Sequence, residues 1–144
     1  MAELGVVATA GDRRDEDMRE LGRVAARYFD EVIVREDRSS RGRERGETAM
    51  LIMEGVHQAI EIGGARAGYA EIVIDEMDAA RRALDRSRPG DIVVLCVDYA
   101  TEVYKELEKR RGSATPAALR ASEAGMIEAV GGDVDLIDLS GITR

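Results

Sequence analysis

The sequence has no tryptophan, one phenylalanine, one cysteine, one histidine and two prolines in 144 residues. A single cysteine excludes an internal disulfide. One Cys and one His exclude a zinc site of the usual ligand count. Aromatics amount to 3%, too few for a platform that stacks single-stranded nucleic acid. Basic character is also lacking. The net charge is −8, and acid exceeds base in both halves, so no global footprint for DNA or RNA exists. The longest stretches without a charged residue, Leu4–Gly11 and Gly112–Leu119, are eight residues each. A membrane helix needs about twenty apolar residues. No basic start leads into an apolar core, so a secretory signal is not expected and the expected location is cytoplasmic.

What is present is the composition of a globular chain, 44% hydrophobic and 35% charged. Apolar runs and helical spacings alternate. Leu4–Ala10, Glu31–Arg35, Ala70–Asp75 and Ile92–Val97 read as strands. Asp15–Arg27, Glu47–Ile60, Glu76–Arg86 and Thr101–Arg111 read as helices. Ile92–Val97 is the most apolar strand and is expected at the centre of the sheet. Pro116–Val130 is expected to be a further helix and Asp133–Leu139 a last strand. Such alternation builds an α/β, Rossmann-like fold with a mostly parallel sheet and helices on both faces. Residues 1–144 read as a single domain, with a core over 1–111 and an appendage over 112–144 that folding does not require.

Ligands of open α/β sheets bind beyond the carboxyl ends of the strands. Three segments fall there. Gly11, Asp12, Arg13 and Arg14 follow the first strand: Gly11 permits a close turn, and the two arginines offer charge to an anion at a helix start. The segment is neither G-x-G-x-x-G nor G-x-x-x-x-G-K-[ST]. Arg35, Glu36, Asp37, Arg38, Arg41 and Arg43 follow the second strand. Four arginines in nine residues of an acidic chain suit a carboxylate or phosphate. Glu36 and Asp37 either hold those arginines or meet a ligand amine. Asp98-Tyr99-Ala100-Thr101 follows the fourth strand, and Asp98 or Thr101 reads as the cap of the next helix. Cys96 reads as a small core residue, and His57 as structural or exposed. No nucleophile or metal site is identifiable, and none of the catalytic residues of a reaction.

Several separated pieces share an order with a known family. They are Gly11-Asp12-Arg13-Arg14-Asp15-Glu16-Asp17, Leu21-Gly22-Arg23-Val24-Ala25-Ala26, Phe29-Asp30-Glu31-Val32-Ile33-Val34-Arg35-Glu36-Asp37, Arg41-Gly42-Arg43, Gly46-Glu47, Asp78-Ala79-Ala80 and Arg88-Pro89-Gly90-Asp91-Ile92-Val93-Val94. Over about residues 5–110 the chain resembles the C-terminal domain of Mur-type ligases, in its cyanophycin synthetase variant. The resemblance implies a Rossmann-like domain that closes over ATP held mainly by a central domain and helps to bind an incoming amino acid. The reaction it implies activates a carboxylate as an acyl phosphate, which an amine attacks to form an amide. Gly11 to Arg14 would then lie near the nucleotide. Asp37 and Arg41 match in position the family's Asp-Asn-Pro-Arg loop, which contacts the amino acid; its Asn-Pro part is not matched. In place of the Gly-Lys-Gly-His-Glu segment of peptidoglycan ligases stands Val97-Asp98-Tyr99.

The phosphate-loop domain and the opening Asp-Tyr-Ala-His-type segment have no counterpart here. The expectation is therefore a piece or derivative of a larger ligase, inactive alone. ATP and Mg would belong to the complete ligase, and the partners would be its other domains and an amino-acid or peptide substrate. From the residues alone two other readings stay open: a stand-alone module for a nucleotide or acidic peptide, and a non-catalytic interaction subunit.

Overall fold

The computed structural model describes residues 1–111 and the backbone of residues 119–121, 126–129 and 135–137. Backbone contacts divide the chain into two compact units, Met1–Asp98 and Tyr99–Arg144.

The first unit runs β1 (Glu3–Val7), α1 (Asp15–Tyr28), β2 (Glu31–Val34), α2 (Glu47–Ile62), β3 (Tyr69–Ile72), α3 (Glu76–Arg86) and β4 (Ile92–Leu95). The four strands form one parallel sheet in the order β3-β2-β1-β4. This is the expected α/β, Rossmann-like architecture. Strand alternation sorts the side chains. Val7, Val32 and Val34 join the core under α1 and α2, while Val6 and Ile33 join Ala79 and Ala83 of α3 on the opposite face.

Helix ends follow their charges. The first turn of α1 carries Asp15, Glu16 and Asp17 and its last turn Arg27, which suits the helix dipole. Asp75 caps α3 by accepting from the Asp78 N–H at 3.0 Å. At the amino ends of the strands, Asp30 accepts from the Glu3 N–H and Asp91 from the Ala2 N–H, both at 2.8 Å.

The expectation of a central fourth strand is corrected. Among the described residues β4 is an edge strand that pairs with β1 only, and Ile92 and Val94 are 44% and 39% exposed. Its apolarity reports the covering of one face, where Val93 and Leu95 pack with the α3 core, rather than its rank in the sheet. Cys96 lies just past β4 and is exposed, not a core residue. His57 is exposed on α2, as expected.

The second unit contains α4 (Ala100–Arg111) and a separate antiparallel sheet in the order β5 (Leu119–Ala121), β6 (Met126–Ala129) and β7 (Asp135–Ile137). Of the helix expected over Pro116–Val130, the described residues 119–121 and 126–129 are instead the strands β5 and β6, and the rest lies outside the described residues. Local propensity is a weak prior, and the pairing of Leu119 with Ala129 and of Ala121 with Ile127 overrides it. The expected last strand is present as β7, paired with β6 and not with the parallel sheet. The boundary placed at Gly112 lies outside the described residues.

One contact sets how closely α1 and α2 approach. A Cβ on Gly22 would stand 1.9 Å from the Ile52 carbonyl oxygen, and one on Gly55 would stand 1.8 Å from the Arg19 carbonyl oxygen. The two backbones touch there, and Arg19–Glu54 and Arg23–Gln58 bonds of 2.9 and 2.7 Å flank the crossing. Gly22→Ala is expected to cost about 1–3 kcal/mol, the range for an overpacked site. Gly68→Ala, which would meet no atom within 4 Å, should stay within about 0.5 kcal/mol. Urea unfolding of the two variants checks the contrast, and equal midpoints would refute it.

Candidate functional site

The chain passes from β1 to β2 to β3 on one side, then returns to the other side of β1 for β4. The crevice expected of such a reversal lies at the carboxyl ends of β1 and β4. The loops after β1, β2 and β4 meet there, and they contain every residue singled out from the sequence as nucleotide- or substrate-binding.

Arg35 fills the crevice. It is 3% exposed, and its Nε and Nη2 donate to the Cys96 carbonyl oxygen at 3.0 and 2.8 Å. Its Nη1 donates to Asp37 Oδ1 at 3.0 Å, its Nη2 lies 3.2 Å from Glu76 Oε1, and Asp98 Oδ2 is 3.8 Å from Nη1. The side chain thus ties the end of β2 to the end of β4 across β1. Breaking a buried ion pair by removing one partner typically costs about 3–5 kcal/mol. Arg35 is accordingly engaged by the fold.

Glu36 is equally engaged. It is 4% exposed and accepts from the backbone N–H groups of Gly46 and Ala49, both at 2.9 Å. Gly46 is the N-cap of α2 and has no side chain to cap with, so Glu36 does this work from ten residues away. The long charged loop is closed into a ring by this bond.

Asp37 stands at the rim, with 24% of its side chain exposed, and Asp98 faces it with 56% exposed. Burial raises the Asp37 pKa above the usual carboxylate range, and the neighbouring Asp98 charge adds to the rise. The Arg35 guanidinium opposes both. The Asp98 N–H donates to Glu76 Oε1 at 2.7 Å. Glu76, buried at the start of α3, carries no sequence signal beyond its place in a first turn.

The loop after β1 leans directly on the loop after β2. A Cβ on Gly11 would stand 2.1 Å from the Ser40 carbonyl oxygen, so the glycine permits backbone contact between the two. Arg41, at φ 49°, reaches Asp12 Oδ2 at 2.9 Å in a pair exposed on both sides. Arg43 donates to the Gly11 and Arg13 carbonyl oxygens and to Asp15 and Glu47. Arg14 forms a two-pronged pair with Asp17 at 2.9 Å. Arg45 bonds the Asp37 carbonyl oxygen. Arg13 is exposed, and its guanidinium makes no hydrogen bond or ion pair among the described residues.

The arrangement thus holds two exposed features: the Arg13 cation and the Asp37/Asp98 acid rim. The first turn of α1 already carries three carboxylates, so an anion here rests on Arg13 rather than on the helix dipole. No group of three or more His, Cys, Asp or Glu side chains suited to a metal ion occurs among the described residues. No helix of the described residues is long and apolar enough to cross a membrane. A surface concavity lined by Ala2, Asp30, Asp85, Arg86, Ser87 and Asp91 lies at the opposite, amino end of the strands.

No protein-family model matches the chain. Curated proteins do. A cyanophycin synthetase of Crocosphaera subtropica is 41% identical over 107 residues, which is 74% of this chain and 12% of that protein. One from Synechocystis sp. is 40% identical over 108 residues, 75% of this chain and 12% of that protein. A UDP-N-acetylmuramoyl-L-alanyl-D-glutamate–2,6-diaminopimelate ligase of Chlorobaculum tepidum is 32% identical over 108 residues, 74% of this chain and 19% of that protein.

The native state holds the Asp37 proton more tightly than the unfolded chain does. Stability is therefore withdrawn as pH rises from the ordinary carboxylate range through the raised native value. Asp98→Asn is expected to move the Asp37 titration downward and to lessen that loss. Carbon-13 titration of the Asp37 carboxyl reads the shift, and an unchanged midpoint would show that the two acids do not interact.

Proposed function

The chain belongs to the Mur ligase family as a Mur ligase-like C-terminal domain similar to that of cyanophycin synthetases, and from that premise we propose that it serves an ATP-dependent, amide-forming ligase by helping to bind nucleotide and incoming amino acid. The observation that carries the reading is the joining of the Gly11–Arg14 loop to the Arg35–Arg43 loop at the carboxyl edge of a parallel sheet, with Arg13 exposed and unpaired.

In this reading Gly11, Asp12, Arg13 and Arg14 face the nucleotide, and Arg13 supplies the positive charge for a phosphate. Asp37 and Arg41 meet the amino acid. Asp37 takes its amine, and Arg41 takes its carboxylate in exchange for Asp12, a trade made easy because an exposed ion pair contributes only about 0–1 kcal/mol. Arg35 and Glu36 hold Asp37 and the start of α2 in place. The residues fit ATP as a lid fits, with one guanidinium and a close-packed backbone. They offer no phosphate loop and, among the described residues, no carboxylate cluster for Mg. ATP and Mg, when bound, supply the phosphoryl transfer that activates the acid, and the groups that hold them belong to the other domains of a complete ligase. The chain is inactive alone, works in the cytoplasm where ATP is supplied, and carries residues 112–144 as an appendage.

Two measurements test this. The purified 144-residue chain, given ATP, Mg, a carboxylic acid and amino acids, is expected to release no ADP and form no amide; turnover by this chain would overturn the assignment of phosphate binding to other domains. In a full-length ligase containing this domain, Arg13→Ala should raise the KM for ATP and Arg41→Ala the KM for the amino acid, each roughly tenfold for a loss of about 1.4 kcal/mol. Arg41→Ala should leave folding within about 0.5 kcal/mol. Wild-type KM and kcat in both variants would remove the site from these loops.

A further inference from the structure

Arg43 stands apart from the other arginines of its loop. Its side chain is 18% exposed, and every donor nitrogen is used. Nε donates to the Gly11 carbonyl oxygen at 2.7 Å, and Nη2 donates to the Arg13 carbonyl oxygen at 2.9 Å and to Asp15 Oδ1 at 2.7 Å. Nη1 donates to Glu47 Oε1 at 2.8 Å. Three of these four acceptors belong to the loop after β1 or the first residue of α1, and the fourth is the first residue of α2. The Arg43 N–H is itself turned back onto the Ser40 carbonyl oxygen at 3.2 Å, the atom that abuts Gly11. A planar guanidinium with fixed donor directions serves four acceptors at set angles; an ammonium group does not.

We propose that Arg43 is a positioning residue that makes the loop after β1 and the loop after β2 one body, so that a ligand held by the first sets the geometry of the second. The coupling between nucleotide and amino acid rests on the function proposed above; the mechanical joining of the loops does not. Two main-chain carbonyls of the Gly11–Arg14 segment are fixed by a side chain from the other loop. A phosphate drawn to Arg13 therefore displaces the Arg13 carbonyl only by moving Arg43, and with it the Ser40–Arg43 turn that carries Arg41. Binding at one loop then alters affinity at the other by the same factor in both directions.

The test compares the full 144-residue chain with its Arg43→Ala and Arg43→Lys variants by amide hydrogen exchange, read residue by residue. Two reporters are bonded amides, the Arg13 N–H on Ala10 and the Gly46 N–H on Glu36. Arg43→Ala is expected to speed exchange at both reporters together, about tenfold or more, with the interiors of α1 and α2 unchanged. Arg43→Lys, which stays folded if the larger truncation does not, should give an intermediate increase at both. Loosening of Gly46 with Arg13 unaffected in either variant would overturn the proposal. The same samples are then titrated with Mg-ATP. In the wild type, ATP should slow exchange at Arg13 and at Gly46 with one midpoint. In Arg43→Lys the Arg13 response should persist while the Gly46 response is lost. Loss of both responses would mark Arg43 as a mere scaffold residue, and retention of both would refute the coupling. If ATP moves no amide of the isolated wild type, the titration is repeated in a full-length ligase containing this domain, where a missing response at Arg13 ends the nucleotide reading; the exchange comparison without ATP still decides whether the loops are one body.

Discussion

The structure of the site depends on one buried guanidinium. Arg35 sits where an open α/β sheet leaves a crevice, and it is surrounded by the Cys96 carbonyl oxygen and the carboxylates of Asp37, Glu76 and Asp98. Desolvating a cation is costly, and only paired and hydrogen-bonded neighbours repay it. One guanidinium among three carboxylates leaves an excess of negative charge, and at the rim the Asp98 charge adds to the rise in the Asp37 pKa that burial chiefly causes. Plugging the crevice leaves Asp37 and Asp98 at its rim, half-buried and exposed respectively.

The two loops beside that cluster show how an acidic chain can offer a cation. At a net charge of −8 the long-range field repels a nucleoside triphosphate. Screening in physiological salt confines such fields to about 8 Å, so the outcome is decided by near neighbours. Around the loop after β1, Arg14 is matched by Asp17 and Arg41 by Asp12, while Arg13 is left over. An arginine-rich loop is in this way mostly self-consuming. Its charges build the loop, and the surplus available to a ligand is small and local.

Much of this was legible in the sequence. The alternation from Leu4 to Val97 yields each strand and helix of the parallel unit because buried strands and amphipathic helices differ in period. The loops after β1 and β2 stood out because charge there interrupts apolar runs. The division of labour within them was not legible. Arg35 and Arg41 look alike in a string of letters, yet one is buried and the other solvated, since the partners that bury Arg35 lie 41 to 63 residues away by position, at Glu76, Cys96 and Asp98. Glu36 is a remote cap because Gly46 lacks a side chain, a link visible only once the loop is closed. The rank of β4 is not legible because apolarity measures coverage by α3 and not adjacency in the sheet. The strands β5 and β6 are not legible because their antiparallel pairing outweighs residue preference.

The separation of contacts along the chain also has a bearing on synthesis. All acceptors of Arg43 lie between Gly11 and Glu47, so a nascent chain that has emerged only through α2 already contains every atom of that strut. The Arg35 bridge needs Cys96 in register with β1, and its partner strand is made last among the four. With synthesis running from the amino end, the two loops can be joined while the crevice beside them still stands open. The plug is set only when β4 arrives, and the paired acids face each other from that moment on.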